Sequence, residues 1–282
     1  MSRTRVFALT LLSMLAFAGN SLLCRAALST TRIDAASFTS IRIASGAVAL
    51  WFILRMRRGP HALAGNWPSA FALFAYAAAF SFSYVNLTAA TGALLLFGAV
   101  QTTMIGYGVW AGERFRLWQI AGLLCALAGL VWLVLPGLAA PPLHAAALML
   151  AAGVAWGVYS VRGKGAGDPL RVTAGNFLRA VAFAAALSIV MRPWASLDRT
   201  GVGYAIASGA LTSGVGYAVW YTALAGLNVT RAATVQLSVP VIAAIGGVLL
   251  LGEPVTLRLV LASAAILGGI ALVIKGKPSA RR

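Results

Sequence analysis

Acidic residues are the scarcest charged class in this sequence. It holds five Asp and Glu against 22 Lys and Arg, and only 10% of its 282 residues are charged. A soluble domain carries about 25% charged residues, so this chain has too little polar surface to cover a water-soluble fold. The hydrophobic share of 61% predicts an integral membrane protein instead.

Cysteine and histidine are also rare, with two of each in the chain. Cys24 and Cys125 lie inside apolar runs, which is typical of small buried residues and not of a disulfide framework. His61 and His144 are far apart and belong to no HExxH motif. We therefore expect no metal site and no cofactor.

The few acids fall at predicted helix ends or in loops, and none lies in the middle of an apolar run; they are Asp34, Glu113, Asp168, Asp198 and Glu253. An intramembrane transferase needs acidic groups at membrane depth, so we expect no enzymatic activity. Proton-coupled membrane proteins commonly keep a carboxylate at that depth, and this sequence has none there. Glu113 and Glu253 are expected to cap the fifth and tenth helices.

The net charge of +17 raises the alternative of nucleic-acid binding. Such proteins gather their basic residues on one wet face, whereas here these residues are scattered in twos and threes between apolar runs. We expect the lipid bilayer, and no nucleic acid, as the partner.

Ten apolar runs are long enough to be spanning helices, which need roughly 20 residues each. They lie at about 5–27, 35–55, 67–86, 89–111, 115–136, 143–162, 170–191, 201–222, 230–251 and 256–275. Fifteen basic residues fall on the side of the termini and five on the other side. This bias predicts a multi-pass protein of the bacterial inner membrane with both termini in the cytoplasm.

The second half of the sequence repeats the first. A shift of 137 residues places Arg42 on Arg179 and Tyr84 on Tyr221, and a shift of 140 places Gly112-Glu113 (112–113) on Gly252-Glu253 (252–253). The fold class predicted is an all-α membrane protein of ten transmembrane helices, as two five-helix repeats (1–140 and 141–282) around a central cavity. Five is odd, so the second repeat is inverted, which is typical of secondary transporters. One chain supplies both halves, so we expect a monomer.

Two arginines lie inside predicted spans. Arg42 and Arg179 are both ~12–14 Å deep at 1.5 Å per residue, near the membrane midplane. One interpretation is structural or gating, with each arginine holding carbonyls or a neighbouring helix. The other is a polar contact for a substrate carboxylate. Asn176 lies about one turn from Arg179.

These motifs resemble those of a known family. The paired repeats, the GE pair that ends the fourth helix of each, AWG at 155–157 and the run QLSVPVIAAIGGVLLLGEPVTL from 236 resemble the drug/metabolite transporter superfamily. The branch is the EamA-like family of ten-helix carriers, and the sequence is most similar to the YddG-type bacterial exporters of aromatic amino acids. The resemblance implies a basket of helices one to four and six to nine, with the fifth and tenth packed outside.

The resemblance implies that polar and aromatic residues of the basket line a substrate cavity. The candidates are Asn20, Ser21, Tyr76, Phe80, Ser83, Tyr84, Gln101, Trp156, Tyr159, Asn176, Tyr217, Trp220, Tyr221 and Gln236. Arg42, Arg179 and Pro240 are candidate midplane polar or gating residues, Pro240 because it frees a carbonyl and bends its helix.

The expected function is export of aromatic and hydrophobic amino acids by alternating access. Because no acid lies at membrane depth, we expect facilitated diffusion, or coupling by a route that the sequence does not show. The alternatives are another small metabolite, a drug or a nucleoside on the same fold, or a membrane scaffold or sensor without transport.

Overall fold

The computed structural model describes residues 2–58, 61–112, 116–137, 140–163, 166–224, 226–227 and 235–275. Within these ranges the chain is helical and contains no strand. The helices are α1 Arg3–Thr30, α2 Ala35–Met56, α3 Trp67–Tyr84, α4 Ala89–Trp110, α5 Leu117–Val134, α6 Leu143–Gly163, α7 Pro169–Val190, α8 Arg199–Leu224, α9 Ser238–Leu251 and α10 Leu257–Lys275.

Eight of the described helices are long and apolar enough to cross a membrane, namely α1, α2, α4, α5, α6, α7, α8 and α10. The other two are α3, which is rich in alanine, serine and tyrosine, and α9, of which the structure describes 14 residues. The surface between the helix ends is apolar, with Leu124, Leu249 and Leu250 exposed by 60%, 76% and 74%. A surface of this kind requires lipid as its solvent.

Polar side chains at the helix starts fix where the spans begin. Asp34, Asn66, Thr88, Asp168 and Asp198 each precede a helix and accept a hydrogen bond from a backbone amide two or three residues further on. These N-caps satisfy amides of the first turn that have no partner inside the helix. Three of the five acidic residues of the chain therefore act as helix N-caps.

Helix α8 contains a nine-residue π-helix, Ala207–Val215, between α-helical stretches Arg199–Ile206 and Gly216–Leu224. A π-turn widens the helix and re-aims its side chains, and such turns occur frequently at functional sites. Its small residues let α8 approach α2 closely. A Cβ on Gly209 would lie 2.0 Å from the Ser45 Oγ and 2.1 Å from the Arg42 carbonyl oxygen.

The helices pack in pairs that join the two halves of the chain. α2 packs on α7, α3 on α6, α1 on α8, and α4 on both α6 and α9. α5 and α10 pack chiefly on each other and reach the remaining helices through α4. At their crossing a Cβ on Gly269 would lie 2.4 Å from the Gly122 carbonyl oxygen, so both positions require glycine for the backbones to meet.

Connections at one end of the bundle hold each other by hydrogen bonds that backbone amides donate to carbonyls and carboxylates. This end includes the 252–256 connection, and we call it the Glu253 end. Asp34 and Ser196 exchange two bonds, of 3.0 and 2.9 Å, and the Arg32 amide donates to Asp198 at 3.2 Å. Burial acts to raise the pKa of Asp34 and of Asp198. Hydrogen bonds donated by neighbouring amides and hydroxyls outweigh it, and the pKa of each carboxyl lies below its ordinary 3.8.

The opposite end, which we call the Asp168 end, is held around the segment 61–66. The Arg57 guanidinium pairs with Asp168 at 2.7 Å, and Arg171 donates to the Ala62 carbonyl at 2.6 Å. Arg162 donates to the Ser69 hydroxyl at 3.1 Å. Both ends are therefore closed by contacts between the two halves of the chain.

Glu253 caps a different helix from the one predicted. Its carboxylate accepts from the Ala89 amide at 2.8 and 3.1 Å, so it caps α4 and not α10. Gly252 has a left-handed φ of 64° and the Glu253 amide donates to the Gly247 carbonyl, which turns the chain back toward α4. The same carboxylate pairs with Arg25 of α1 at 3.1 Å. Glu113 lies outside the described residues.

Candidate functional site

A small cavity lies between α1, α3, α4, α6 and α8. Its lining combines aromatic rings with a few amides and hydroxyls, from Phe17, Asn20, Ser21, Tyr76, Phe80, Leu96, Phe97, Trp156, Thr212, Tyr217 and Gln236. Its volume is about 30 Å³, which holds about two water molecules. In this conformation the site is too small to hold an amino acid.

Aromatic rings from four helices form one wall. Trp156 stacks on Tyr217 at 5.3 Å between ring centroids with an interplanar angle of 21°, and its centroid lies 4.8 Å from that of Tyr76. Phe80 follows Tyr76 on α3 at 5.4 Å, and Phe17 of α1 lies 5.8 Å from Tyr217. These offset and tilted geometries are the favourable ones for aromatic pairs, and they present flat apolar faces to the cavity.

The Asn20 amide is the centre of a buried polar network. Its Nδ2 donates to the Tyr76 hydroxyl at 3.2 Å. Its Oδ1 accepts from Ser208 at 2.6 Å and from Thr212 at 3.4 Å, both of which lie on the π-helix of α8. The wide turn thus brings two hydroxyls to one amide oxygen, and the network joins α1, α3 and α8.

Arg42 lies behind the wall formed by Tyr76 and Phe80. Its side chain is buried, with the residue 2% exposed. Its Nη2 donates to the Tyr76 hydroxyl at 3.0 Å and its Nε to Ser213 at 3.4 Å. The guanidinium carbon lies 4.8 Å from the Phe80 ring centroid, within the range of a cation–π contact.

The charge of Arg42 is not balanced by a carboxylate in the part of the chain that the structure describes. The ion pairs found there are Arg25–Glu253 and Arg57–Asp168, both at the ends of the bundle. The Nη1 of Arg42 is buried and has no hydrogen-bond acceptor among the described residues. Most buried polar groups are satisfied, so this donor is exceptional.

One nitrogen of Arg179, the residue that the predicted repeat aligns with Arg42, is held by backbone carbonyls. Its Nη1 donates to the Ala64 carbonyl at 2.8 Å and to the Gly175 carbonyl at 2.9 Å. Asn176 Oδ1 accepts from the Asn66 amide at 3.0 Å. These contacts fasten the 61–66 segment to α7, so Arg179 has the carbonyl-holding geometry of the structural interpretation and Arg42 does not.

Half of the predicted cavity residues line the cavity in this conformation: Asn20, Ser21, Tyr76, Phe80, Trp156, Tyr217 and Gln236. The other half are placed outside its lining: Ser83, Tyr84, Gln101, Tyr159, Asn176, Trp220 and Tyr221. Sequence reasoning missed Phe17, Leu96, Phe97 and Thr212. Only Thr212 carried a usable signal, as a hydroxyl inside an apolar run; the other three are indistinguishable from packing residues.

Six of the seven residues outside the lining, all except Gln101, have hydrogen-bond or ring partners elsewhere. The Ser83 hydroxyl donates to the Ala145 carbonyl and the Tyr84 hydroxyl to the Ala89 carbonyl, which joins α3 to α6 and to α4. The Tyr221 hydroxyl accepts from Thr173 at 3.3 Å. Tyr159 accepts from Asn176 at 3.5 Å and stacks behind Trp156, while Trp220 packs edge-on against Phe17.

Pro240 lies in the first turn of α9, which begins at Ser238 after a break at Leu237. A proline at this position has no amide proton for the Gln236 carbonyl. The helix is interrupted where that bond would form. Among the described residues, no group of three or more His, Cys, Asp or Glu could hold a metal ion.

Comparison with known proteins identifies the class. Residues 143–275 match the EamA-like transporter family. The chain is 58% identical over 271 residues to an uncharacterized protein of Pseudomonas aeruginosa, covering 96% of this chain and 94% of that one. An uncharacterized transporter of Archaeoglobus fulgidus is 27% identical over 177 residues, covering 59% and 61%.

A solved crystal structure superposes on this chain with a TM-score of 0.66 at 20% identity, covering 96% of this chain and 98% of that chain. At this identity the likeness concerns the fold alone. The chain belongs to the EamA-like transporter family. It is a multi-pass membrane transporter within the drug/metabolite transporter superfamily.

Proposed function

We propose that this transporter exports aromatic and hydrophobic amino acids across the bacterial inner membrane. The observation that carries the proposal is the central cavity, where the rings of Tyr76, Trp156 and Tyr217 face a network of amide and hydroxyl groups. Rings suit a flat apolar side chain, and a few placed polar groups fix its orientation. The substrate is a small molecule, and the transporter acts without a cofactor.

The mechanism proposed is alternating access between two inverted five-helix repeats, residues 1–140 and 141–282, in a ten-helix monomer. The helix pairs support it, because α2 packs on its repeat partner α7, α5 on α10, and the α3–α6 pair is matched by α8–α1. Both termini are cytoplasmic, so the Asp168 end faces the cytoplasm. The cavity, at about 30 Å³, must widen and open toward one end to admit an amino acid.

The proposed transport is facilitative. In the described part of the chain no carboxylate lines the cavity, where a proton-coupled carrier commonly keeps one. The same observation disfavours a cationic drug as cargo, since a cation requires a negative partner at this depth.

Counterflow in proteoliposomes tests the proposal. Vesicles loaded with an excess of one unlabelled amino acid are assayed for uptake of its radiolabelled form, so no coupling ion is needed. We expect accumulation of tryptophan, phenylalanine and tyrosine, but not of lysine or glutamate. Trp156→Leu should abolish it, whereas Trp194→Leu, on a side chain that is 67% exposed, should not.

Two results would overturn the proposal. Accumulation of a nucleoside or drug, and of no amino acid, would keep the fold and change the cargo. No accumulation of any compound by protein that elutes as a single folded species would favour a scaffold or sensor.

A further inference from the structure

The buried charge of Arg42 requires a negative partner that the described residues do not supply. An unpaired cation at membrane depth is energetically costly. The two neutral acceptors it has, Tyr76 and Ser213, leave its Nη1 without a bond. The corresponding Nη1 of Arg179 has two backbone carbonyls as acceptors. The missing acceptor is therefore particular to Arg42.

The Tyr76 hydroxyl connects this charge to the cavity. Its oxygen accepts from Arg42 and from Asn20, at 3.0 and 3.2 Å. A phenolic hydroxyl also donates one hydrogen bond, and no acceptor for that proton occurs among the described residues. Two donors, one of them cationic, polarise the hydroxyl and strengthen it as a donor. Tyr76 lines the cavity, so this donor is available to a ligand there.

For an ammonium the cavity offers the faces of aromatic rings, which bind a cation more weakly than an opposite charge does. Its lining residues among those described include no carboxylate. The Asn20 Oδ1 already accepts the Ser208 hydroxyl proton at 2.6 Å, and a neutral amide oxygen is a weaker partner for an ammonium than a carboxylate. A ligand with one negative charge and no positive charge therefore complements the site better than a zwitterion.

We propose that Tyr76 and Arg42 form a carboxylate subsite and that the cavity takes aromatic carboxylates whose amino group is dispensable. The proposal rests on the proposed aromatic cargo and narrows it. The ligand carboxylate accepts the Tyr76 proton, its ring lies against Trp156 and Tyr217, and the guanidinium behind Tyr76 supplies the charge. Aromatic amino acids bind as members of this wider class.

Three matched ligands separate the two charged groups of an amino acid. Phenylalanine has both, 3-phenylpropanoate has the carboxylate alone, and phenethylamine has the ammonium alone. Each competes with radiolabelled phenylalanine for the purified protein at constant pH and salt. We expect 3-phenylpropanoate to compete at least as well as phenylalanine, and phenethylamine at least ~10-fold more weakly, which corresponds to one charge-assisted hydrogen bond.

Tyr76→Phe keeps the ring and removes the hydroxyl, so the preference for 3-phenylpropanoate over phenethylamine should fall by about 10-fold. Arg42→Gln should lower this preference in the same way. Labelled 3-phenylpropanoate serves as a second radioligand beside labelled phenylalanine. Tyr204→Phe, the same change at a half-buried tyrosine of α8 that does not line the cavity, should leave the preference intact.

The outcomes distinguish this inference from the proposed function. Equal competition by the two single-charge ligands, or stronger competition by phenethylamine, would overturn the carboxylate subsite and leave an aromatic carrier. An unchanged preference in folded Tyr76→Phe and Arg42→Gln would also overturn it. If none of the three ligands binds to folded wild-type protein, the aromatic cargo itself is wrong.

Discussion

The ion pair between Arg25 and Glu253 joins α1 to the 252–256 connection at the Glu253 end, and Glu253→Gln tests how much it stabilises the fold. The Glu253 side chain is only 8% exposed and that of Arg25 only 20%. The carboxylate accepts charge-assisted bonds from the Arg25 Nε at 3.1 Å and from the Ala89 amide at 2.8 Å. Glutamine keeps the shape and removes the charge.

The size of the effect follows from these bonds. Hydrogen bonds to charged groups contribute about 1.5–3 kcal/mol each. Glutamine can still accept one neutral bond, and Arg25 keeps its bonds to the Tyr84 and Val85 carbonyls. We therefore expect a loss of about 2–3 kcal/mol. Arg57→Gln removes an ion pair whose arginine is 53% exposed, and should cost under about 1 kcal/mol.

Thermal unfolding in detergent, followed by tryptophan fluorescence and by the fraction that remains monodisperse after heating, measures both variants. The midpoint of Glu253→Gln should fall well below that of Arg57→Gln. Equal midpoints for the two variants would refute the reasoning that burial makes Glu253 the stronger of the two contacts.

Two further predictions concern packing and pH. Gly269→Ala places a methyl group 2.4 Å from the Gly122 carbonyl oxygen and should destabilise by about 1–3 kcal/mol. Gly268→Ala meets nothing within 4 Å and should be neutral or stabilising in the same unfolding assay; a reversed order would contradict the α5–α10 interface. The lowered pKa values of Asp34 and Asp198 mean that their stabilisation is present above about pH 4 and is lost as the pH falls below it. The unfolding midpoint of the wild type should therefore decline as the pH falls below about 4. The decline should be smaller in the double variant Asp34→Asn with Asp198→Asn.

The positions of the helices could be predicted closely because each depends on a local property of the sequence. The predicted run 35–55 compares with Ala35–Met56, and 89–111 with Ala89–Trp110. The length of an apolar run and the N-cap residue before it can both be recognised within a single segment of the sequence. The predicted run 230–251 begins outside the described residues, which cover Ser238–Leu251 as α9. The π-helix of α8 had no such signal, because its small residues are equally compatible with an α-helix.

The roles of individual polar residues could not be predicted because they depend on partners far away in the chain. Arg42 and Arg179 have similar local surroundings in the sequence. They differ because the Ala64 carbonyl reaches Arg179, whereas Arg42 faces Tyr76 and Ser213. The capping role of Glu253 was misassigned for the same reason, since Ala89 is 164 residues away.

The spacing of aromatic residues on α3 was likewise insufficient to assign all its members to the cavity. Tyr76 and Phe80 line it, whereas Tyr84, at the next i+4 position, lies toward the Glu253 end and hydrogen-bonds to Ala89. Residues at i, i+4 and i+8 share one face of a helix, but the spacing does not show which of them lie at the level of the cavity along the helix axis.

The central claim is that the cavity between α1, α3, α4, α6 and α8 opens to water and binds aromatic cargo. Thiol modification tests it most directly, in a variant with Cys24 and Cys125, the chain's two cysteines, changed to alanine. Ser21→Cys places a thiol on the lining, and Ser13→Cys places one on the same helix, equally buried but off the lining. We predict that a water-soluble thiol reagent modifies Ser21→Cys much faster than Ser13→Cys, and that tryptophan slows the reaction at Ser21→Cys alone. Equal rates at the two positions, with no protection by any aromatic ligand, would contradict the claim.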